Sequence, residues 1–216
     1  MTPAEAATRP RVEGDRERQI YEATLDVLMD VGYDRLTMDA VATAAHASKA
    51  TLYRRWSGKA ALVVDALLSA KGLEDAPDTG SLRGDLLGMF CGMGGLTDQR
   101  QVSLLAGVLT AIARDEEFAT AFRTRFVAPK AELSRSVFER ARDRGELRPG
   151  LDIPLAAAAL PGIILHRQFV LGEPADPDAI ERVVDQIILP AVCADGWDGA
   201  GPKKKSKKTN EKKEHR

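Results

Sequence analysis

Thr37–Lys59, TMDAVATAAHASKATLYRRWSGK, packs two short helical patterns, a tight corner and a third helix start into one module. Met38, Val41 and Ala45 recur every three to four residues, as on one face of a helix, and Thr37 in front of them is a good N-cap. That helix is expected to stop near Ala45. His46 and Ala47 then bridge to Ser48, whose hydroxyl can accept from the free amides of a following first turn. The result is two short helices around a tight corner.

On the second helix, at 100° per residue from Ser48, Leu52 and Trp56 fall near about 40° and 80°, and form the stripe that should be buried. Ala50, Thr51 and Arg54 fall on the opposite side, flanked by Tyr53 and Arg55, with Lys49 in the first turn. A guanidinium suits guanine O6 and N7, a small residue lets the backbone approach, a Thr methyl suits thymine and a Tyr hydroxyl reaches phosphate. Ser57 is expected to cap a further helix with Lys59 in its first turn, where free amides and an ammonium would clamp a phosphate. The candidate DNA-binding residues are therefore Thr37, Ser48, Lys49, Ala50, Thr51, Tyr53, Arg54, Arg55 and Lys59.

The longer run GYDRLTMDAVATAAHASKATLYRRWSGKAALV resembles the DNA-binding domain of the TetR (tetracycline-repressor) family of bacterial transcriptional regulators, whose corner reads A-x-x-A-G-V-S-x-x-T-L-Y-x-x-F-x-x-K-x-x-L. Ser48, Thr51, Leu52, Tyr53, Lys59 and Leu62 match directly, and Trp56 takes the aromatic slot. Two positions depart: His46 stands where the family has Gly, and Ala47 where it has Val. A non-glycine at that corner raises the cost of a positive φ, although His is among the residues that tolerate it best.

The 216 residues suffice for one or two domains, and 44% hydrophobic with 5% aromatic residues fits a helical soluble protein. The polar start MTPAEAATRPRVEGDRER holds no apolar signal-peptide core, and a cytoplasmic location is expected. Cys91 and Cys193 lie far apart without metal-like partners, as in a reducing compartment, and no disulfide is expected. Ile153–Leu165 is apolar but interrupted by Pro154, Pro161 and Gly162 and followed by His166 and Arg167, so it reads as a buried helix too short for a bilayer span.

The net charge of −1 is unevenly spread: residues 1–71 are neutral, with ten basic and ten acidic side chains, residues 72–201 carry −7 and residues 202–216 carry +6. An acidic middle is repelled by phosphate, as suits a second domain held off a duplex. Glu17, Glu22, Asp26 and Asp30 are expected to face solvent away from DNA.

The chain divides into a mobile arm (1–14), a DNA-binding domain with its connecting helix (15–72), a helical second domain (82–195) and a lysine-rich tail (196–216) without a core. The first helix is expected from Asp15 to Val31 with Gly32 ending it, and Glu74–Ser81, EDAPDTGS, is the turn-rich boundary. Beyond it come Leu82–Met93, Val102–Arg114, Glu116–Asp143 with a kink or division at Pro129, Ile153–Leu171 behind Asp152, and a last helix behind Asp176. Ile153–Leu171 is apolar nearly all round, so the domain should cover one side and a partner the other. The fold class is all-α, an N-terminal three-helix helix-turn-helix domain followed by a helical ligand-binding and dimerisation domain. The resemblance implies a four-helix bundle built from the last two long helices of each subunit.

No enzyme is expected: the three histidines are scattered and GMGGL (92–96) lacks the strand and lysine of a nucleotide site, so neither cofactor nor metal is called for. The second domain's Phe90, Met93, Phe122, Phe126, His166 and Phe169 could line an apolar cavity with a polar anchor. The expected function is sequence-specific transcriptional regulation by a homodimeric repressor on a palindromic operator in double-stranded DNA, released by a small apolar effector, with no membrane partner. The alternative is a ligand-independent DNA-coating protein acting through the tail.

Overall fold

The computed structural model describes residues 9–71, 75–92 and 99–194, which are helical almost throughout, as the all-α expectation has it. Helix α1 spans Arg9–Arg35 and so begins six residues before Asp15. Pro10 sits in its first turn, where a missing N–H has no helical partner to lose, so nothing stops the helix from starting there. The expected arm is thus partly helix, and its residues 1–8 lie outside the described residues. Gly32, at φ 73° and ψ 166°, breaks the helix where expected, although one turn resumes behind it. Only a residue without Cβ takes that conformation at little cost.

Three short helices follow: α2, Met38–Ala44; α3, Lys49–Arg55; and α4, Lys59–Lys71. After residues 75–81 come α5, Leu82–Gly92; α6, Gln99–Arg114; and α7, Glu116–Phe122. Helix α7 passes through a π-helical turn, Arg123–Val127, into α8, Ala128–Asp143. The π turn is the physical form of the division expected at Pro129. Proline gives no N–H and its ring crowds the carbonyl four residues back, so the turn widens ahead of it. A second π turn, Val184–Ile188, stands before Pro190 in the same way, joining α10, Pro177–Val183, to α11, Leu189–Val192.

Helix α9, Ile153–His166, continues through the π turn Arg167–Leu171 as one 19-residue helix. Here the sequence reading needs correction. Pro154 lies in the first turn behind the Asp152 cap, and Pro161 is carried inside the helix, so neither interrupts it. By length and composition the stretch could cross a membrane, yet only 17% of it is buried.

Two cores organise the described residues. The first gathers Ile20, Leu25, Leu28, Tyr33 and Leu36 with Val41, Leu52, Trp56, Leu62, Val63 and Ala66, and it also takes in Val108, Ala111, Phe118 and Phe122 from α6 and α7. Helices α1 to α4 therefore share a core with the start of the expected second domain, a union sealed outside by Arg100–Asp26 (2.6 Å) and Arg114–Asp34 (2.7 Å). The second core joins α5, α8, α9, α10 and α11 through Leu82, Leu86, Phe138, Leu160, Ile180, Ile188 and Leu189.

The expected linker is pinned at its far end. Asp85, wholly buried, accepts from the Thr79 amide (2.6 Å) and hydroxyl (2.7 Å) and faces Arg144 at 3.3 Å. A buried carboxylate is tolerable only with such partners. At the other end of the chain, Arg148 donates its amide to Val192 (2.9 Å) and Ala194 donates to Glu146 (3.0 Å), tying the end of α11 to the α8–α9 loop.

Candidate nucleic-acid interface

Helix α2 starts as its sequence dictates: Thr37 is extended (φ −127°) and its hydroxyl accepts from the Ala40 amide at 3.1 Å. It ends in a complete Schellman motif. His46 donates its amide to Thr43 (3.1 Å) and Ala47 donates to Ala42 (2.8 Å), the pair of backward bonds that satisfies the last carbonyls of a helix. That motif requires a left-handed residue between them, and His46 supplies it with φ 49°, the sole non-glycine with positive φ among the described residues. The residue singled out at the corner is thus the strained one. Its carbonyl is braced from α1 by the Arg16 guanidinium at 2.5 Å.

Ser48 begins α3 in extended conformation, accepts from the Thr51 amide (3.1 Å) and shares a hydroxyl–hydroxyl bond with Thr51 (2.8 Å). Leu52 is 0% exposed and Trp56 3%, with Trp56 held edge-on against Tyr21 of α1 at 5.8 Å. The opposite face is open: Lys49, Ala50, Tyr53, Arg54 and Arg55 are exposed and Thr51 is half-buried. Tyr53 is 55% exposed, a large aromatic with no core to fill.

The cations on this face are engaged in ways that periodicity does not reveal. Lys49 lies 2.5 Å from Asp39, and Arg55 lies 2.6 Å from Glu17 with its guanidinium over Trp56. Glu17 therefore does not face solvent alone, as expected of it, although Glu22, Asp26 and Asp30 are exposed. Lys59 donates to the Tyr33 carbonyl at 3.0 Å and sits 4.3 Å above the Tyr33 ring. It pins the start of α4 to the corner at Gly32 and is not poised as an open phosphate clamp. Ser57 is also not the cap of α4: the first helical bond runs from the Leu62 amide to the Gly58 carbonyl (3.2 Å), which makes Gly58 the capping residue. Arg54 makes no hydrogen bond or ion pair with the described residues.

Two contact routes lead from this module toward α7 and α8. Trp56 donates its indole N–H to Asp65 on α4 (2.9 Å), and Asp65 also takes the Arg125 guanidinium from the π turn. Tyr33 donates its hydroxyl to Asp115 (3.1 Å) and packs on Phe118 at 4.5 Å, the first of three rings continued by Phe122 and Phe126. Burial first, and then Asp115, pushes the Tyr33 hydroxyl well above the ordinary phenol range; burial and the Glu17 bond do the same to Tyr21. Both stay neutral donors at any physiological pH.

Of the six residues expected to line an effector cavity, the five described ones are not brought together. Phe122 and Phe126 belong to the first core, because the apolar face of α7 turns toward Tyr33 and α4. Phe90 packs on the second core, Phe169 is half-buried, His166 is exposed, and Met93 lies outside the described residues. His166 thus stays solvated, and its neighbour Arg167 finds Glu173 at 2.6 Å. The described residues form clefts at two places of note. One, about 270 Å³, lies between Gly32–Arg35 and Gly107–Ala111. The other, about 340 Å³, runs between α9 and α11 along Leu155, Ala159, Ile187 and Ala191. Leu155 (71% exposed) and Ile187 (49%) leave this second cleft open on an apolar face, joined along α9 by Val170 and Leu171. No group of three or more His, Cys, Asp or Glu able to hold a metal occurs among the described residues.

Comparison with known proteins follows the same outline. The family described as "Bacterial regulatory proteins, tetR family" matches residues 20–66, and "Tetracyclin repressor-like, C-terminal domain" matches residues 76–187. An uncharacterized HTH-type transcriptional regulator of Mycobacterium bovis is 34% identical over 193 residues, covering 88% of this chain and 94% of that protein. A DNA-binding transcriptional repressor of Mycobacteroides abscessus is 36% identical over 179 residues, covering 81% and 92%. Among solved structures, a TetR family transcription regulator superposes with a TM-score of 0.64 at 28% identity, over 83% of this chain and 99% of that one. SmeT, solved with triclosan, shares the fold at 21% identity with a TM-score of 0.63, over 88% and 98%. The DNA-coating alternative gains no support from these relatives, and its tail lies outside the described residues.

Proposed function

The chain belongs to the TetR family of transcriptional regulators, DNA-binding proteins and not enzymes, and from that premise we propose that it is a homodimeric repressor whose α3 reads a palindromic operator in the cytoplasm. The observation that carries this reading is the two-faced character of α3. Leu52 and Trp56 fix one side in the core, and Ala50, Tyr53 and Arg54 leave the other to solvent. Ser48, Lys49, Thr51 and Arg55 frame that face, Thr37 presents the start of α2 to a phosphate, and Lys59 acts by holding α4 to α1.

The proposed division of labour keeps residues 15–72 as the reader and residues 82–195 as the effector and dimerisation domain, with α6 and α7 as the bearing between them. The apolar cleft beside Leu155 and Ile187 is proposed to close against the same cleft of a second copy, which would place two α3 helices on one face of a duplex. A small apolar effector in the second domain would favour a state in which α7 has shifted against Tyr33, Asp65 and α4, misplacing α3. A neighbour of the same fold binds a compact chlorinated aromatic compound, triclosan, which accords with an apolar ligand class. The shift in DNA affinity equals the effector's differential affinity for the two states.

Footprinting of the DNA flanking the gene tests the proposal. It expects two protected half-sites whose centres lie about 10–10.5 base pairs, or a related spacing, apart. Uniform protection without a preferred site would refute it.

A further inference from the structure

Two of the cations that surround the outward face of α3 are already paired with carboxylates of the same chain, and both carboxylates come from other helices. Asp39, in the first turn of α2, holds the Lys49 ammonium at 2.5 Å. Glu17, on α1, holds the Arg55 guanidinium at 2.6 Å and also accepts the Tyr21 hydroxyl at 2.5 Å, which fixes the orientation of the carboxylate. Neither pair is sealed from water: the side chains are 64% and 56% exposed in the first and 49% and 24% in the second. Pairs so open to solvent add little to folding stability and exchange partners readily. A DNA phosphate presents the same kind of acceptor to the same donors.

We propose that Asp39 and Glu17 are specificity-determining residues that stand in for phosphates in the free protein and so suppress binding to arbitrary DNA. Affinity for an arbitrary duplex comes from counterion release, as each lysine or arginine given to a phosphate frees about 0.9 of a condensed cation. A cation already neutralised by its own carboxylate yields less, because moving it to phosphate strands that carboxylate beside a polyanion. Arg54, which has no such partner among the described residues, escapes the restraint, and so does the exposed Tyr53. The base contact through Arg54 is what a correct sequence adds, so the paired carboxylates lower the background more than the specific complex. The neutral balance of residues 1–71 is then a working feature of the reader. The inference rests on the reading of α3 as the DNA-facing helix.

The test uses the full-length protein, a duplex of scrambled sequence and fluorescence anisotropy across about 50–300 mM salt, the range over which phosphate contacts make affinity fall steeply. Asp39→Asn and Glu17→Gln keep the shape of each side chain and release its cation. Asp30→Asn is the control: it changes the net charge equally, at an exposed α1 carboxylate that makes no ion pair or hydrogen bond with the described residues. Each of the first two variants is expected to bind the scrambled duplex several-fold more tightly and to steepen the slope of log K against log salt by about 0.9, while Asp30→Asn keeps the wild-type slope. Unchanged slopes in both paired variants, or equal steepening in the control, would overturn the proposal. Failure of the wild-type protein to bind any duplex would instead overturn the assignment of α3.

Discussion

Replacing His46 by glycine should stabilise the protein, and the size of the gain follows from the corner's geometry. His46 holds φ 49° because the Schellman bonds at Thr43 and Ala42 demand a left-handed residue there. A side chain with Cβ in that region costs about 1–2 kcal/mol. Glycine gives back roughly 0.5–1 kcal/mol through the greater freedom of the unfolded chain. The exposed imidazole makes no hydrogen bond with the described residues, so nothing else is lost, and both backbone bonds and the Arg16 brace on the carbonyl survive the change. The net gain is about 0.5–1 kcal/mol, or roughly 1–4 °C in Tm for a chain of this size. Melting followed by circular dichroism at one fixed protomer concentration measures it, since the Tm of an assembling protein depends on concentration. His46→Val supplies the opposite arm, because a β-branched residue resists positive φ and should lower stability by about 1 kcal/mol or more. A His46→Gly protein that melts at or below the wild type, beside an unaffected His46→Val, would refute the left-handed corner.

Three further outcomes follow from the same structure. Trp56→Ala removes an indole that is 3% exposed and its hydrogen bond to Asp65, which keeps Arg125, and should cost about 3–5 kcal/mol in urea unfolding. Leu155→Asp places a charge on the open cleft between α9 and α11; sedimentation velocity should find a dimer for the wild type, as proposed, and a monomer for the variant, with helix content unchanged. Burial raises the pKa of Cys91 and Cys193, so the thiolate fraction at pH 8 is below that of a free cysteine. A thiol-specific reagent should therefore modify both slowly in the native protein, faster as pH rises, and at the ordinary rate in denaturant.

Local physics made the reading module legible in the sequence, and long-range contacts kept the rest from view. The caps at Thr37, Ser48, Asp152 and Asp176 and the stop at Gly32 depend on a few neighbouring residues, so spacing alone locates them. His46 was readable through the resemblance, since it stands where the family has the glycine that takes a positive φ at little cost. Lys59 was not, because its acceptor is a carbonyl 26 residues earlier that only the packing of α4 on α1 brings near. The Phe118–Phe122–Phe126 stripe has the spacing of a helix face, but spacing does not say which neighbour that face meets. It meets Tyr33 and α4, so Phe122 and Phe126 sit in the first core, apart from Phe90 on the second. The start of α1 was missed because Pro10, a breaker inside a helix, is harmless in a first turn.

If the open face of α3 reads bases, Arg54 is the side chain whose loss must show it. The measurement is the dissociation constant of wild-type and Arg54→Ala protein for the footprinted operator and for a scrambled duplex at one salt concentration. A bidentate guanidinium–guanine contact is worth about 1–3 kcal/mol, so operator affinity should fall roughly 5- to 150-fold while affinity for the scrambled duplex changes far less. Equal losses on both duplexes, or no loss on either, would contradict the claim.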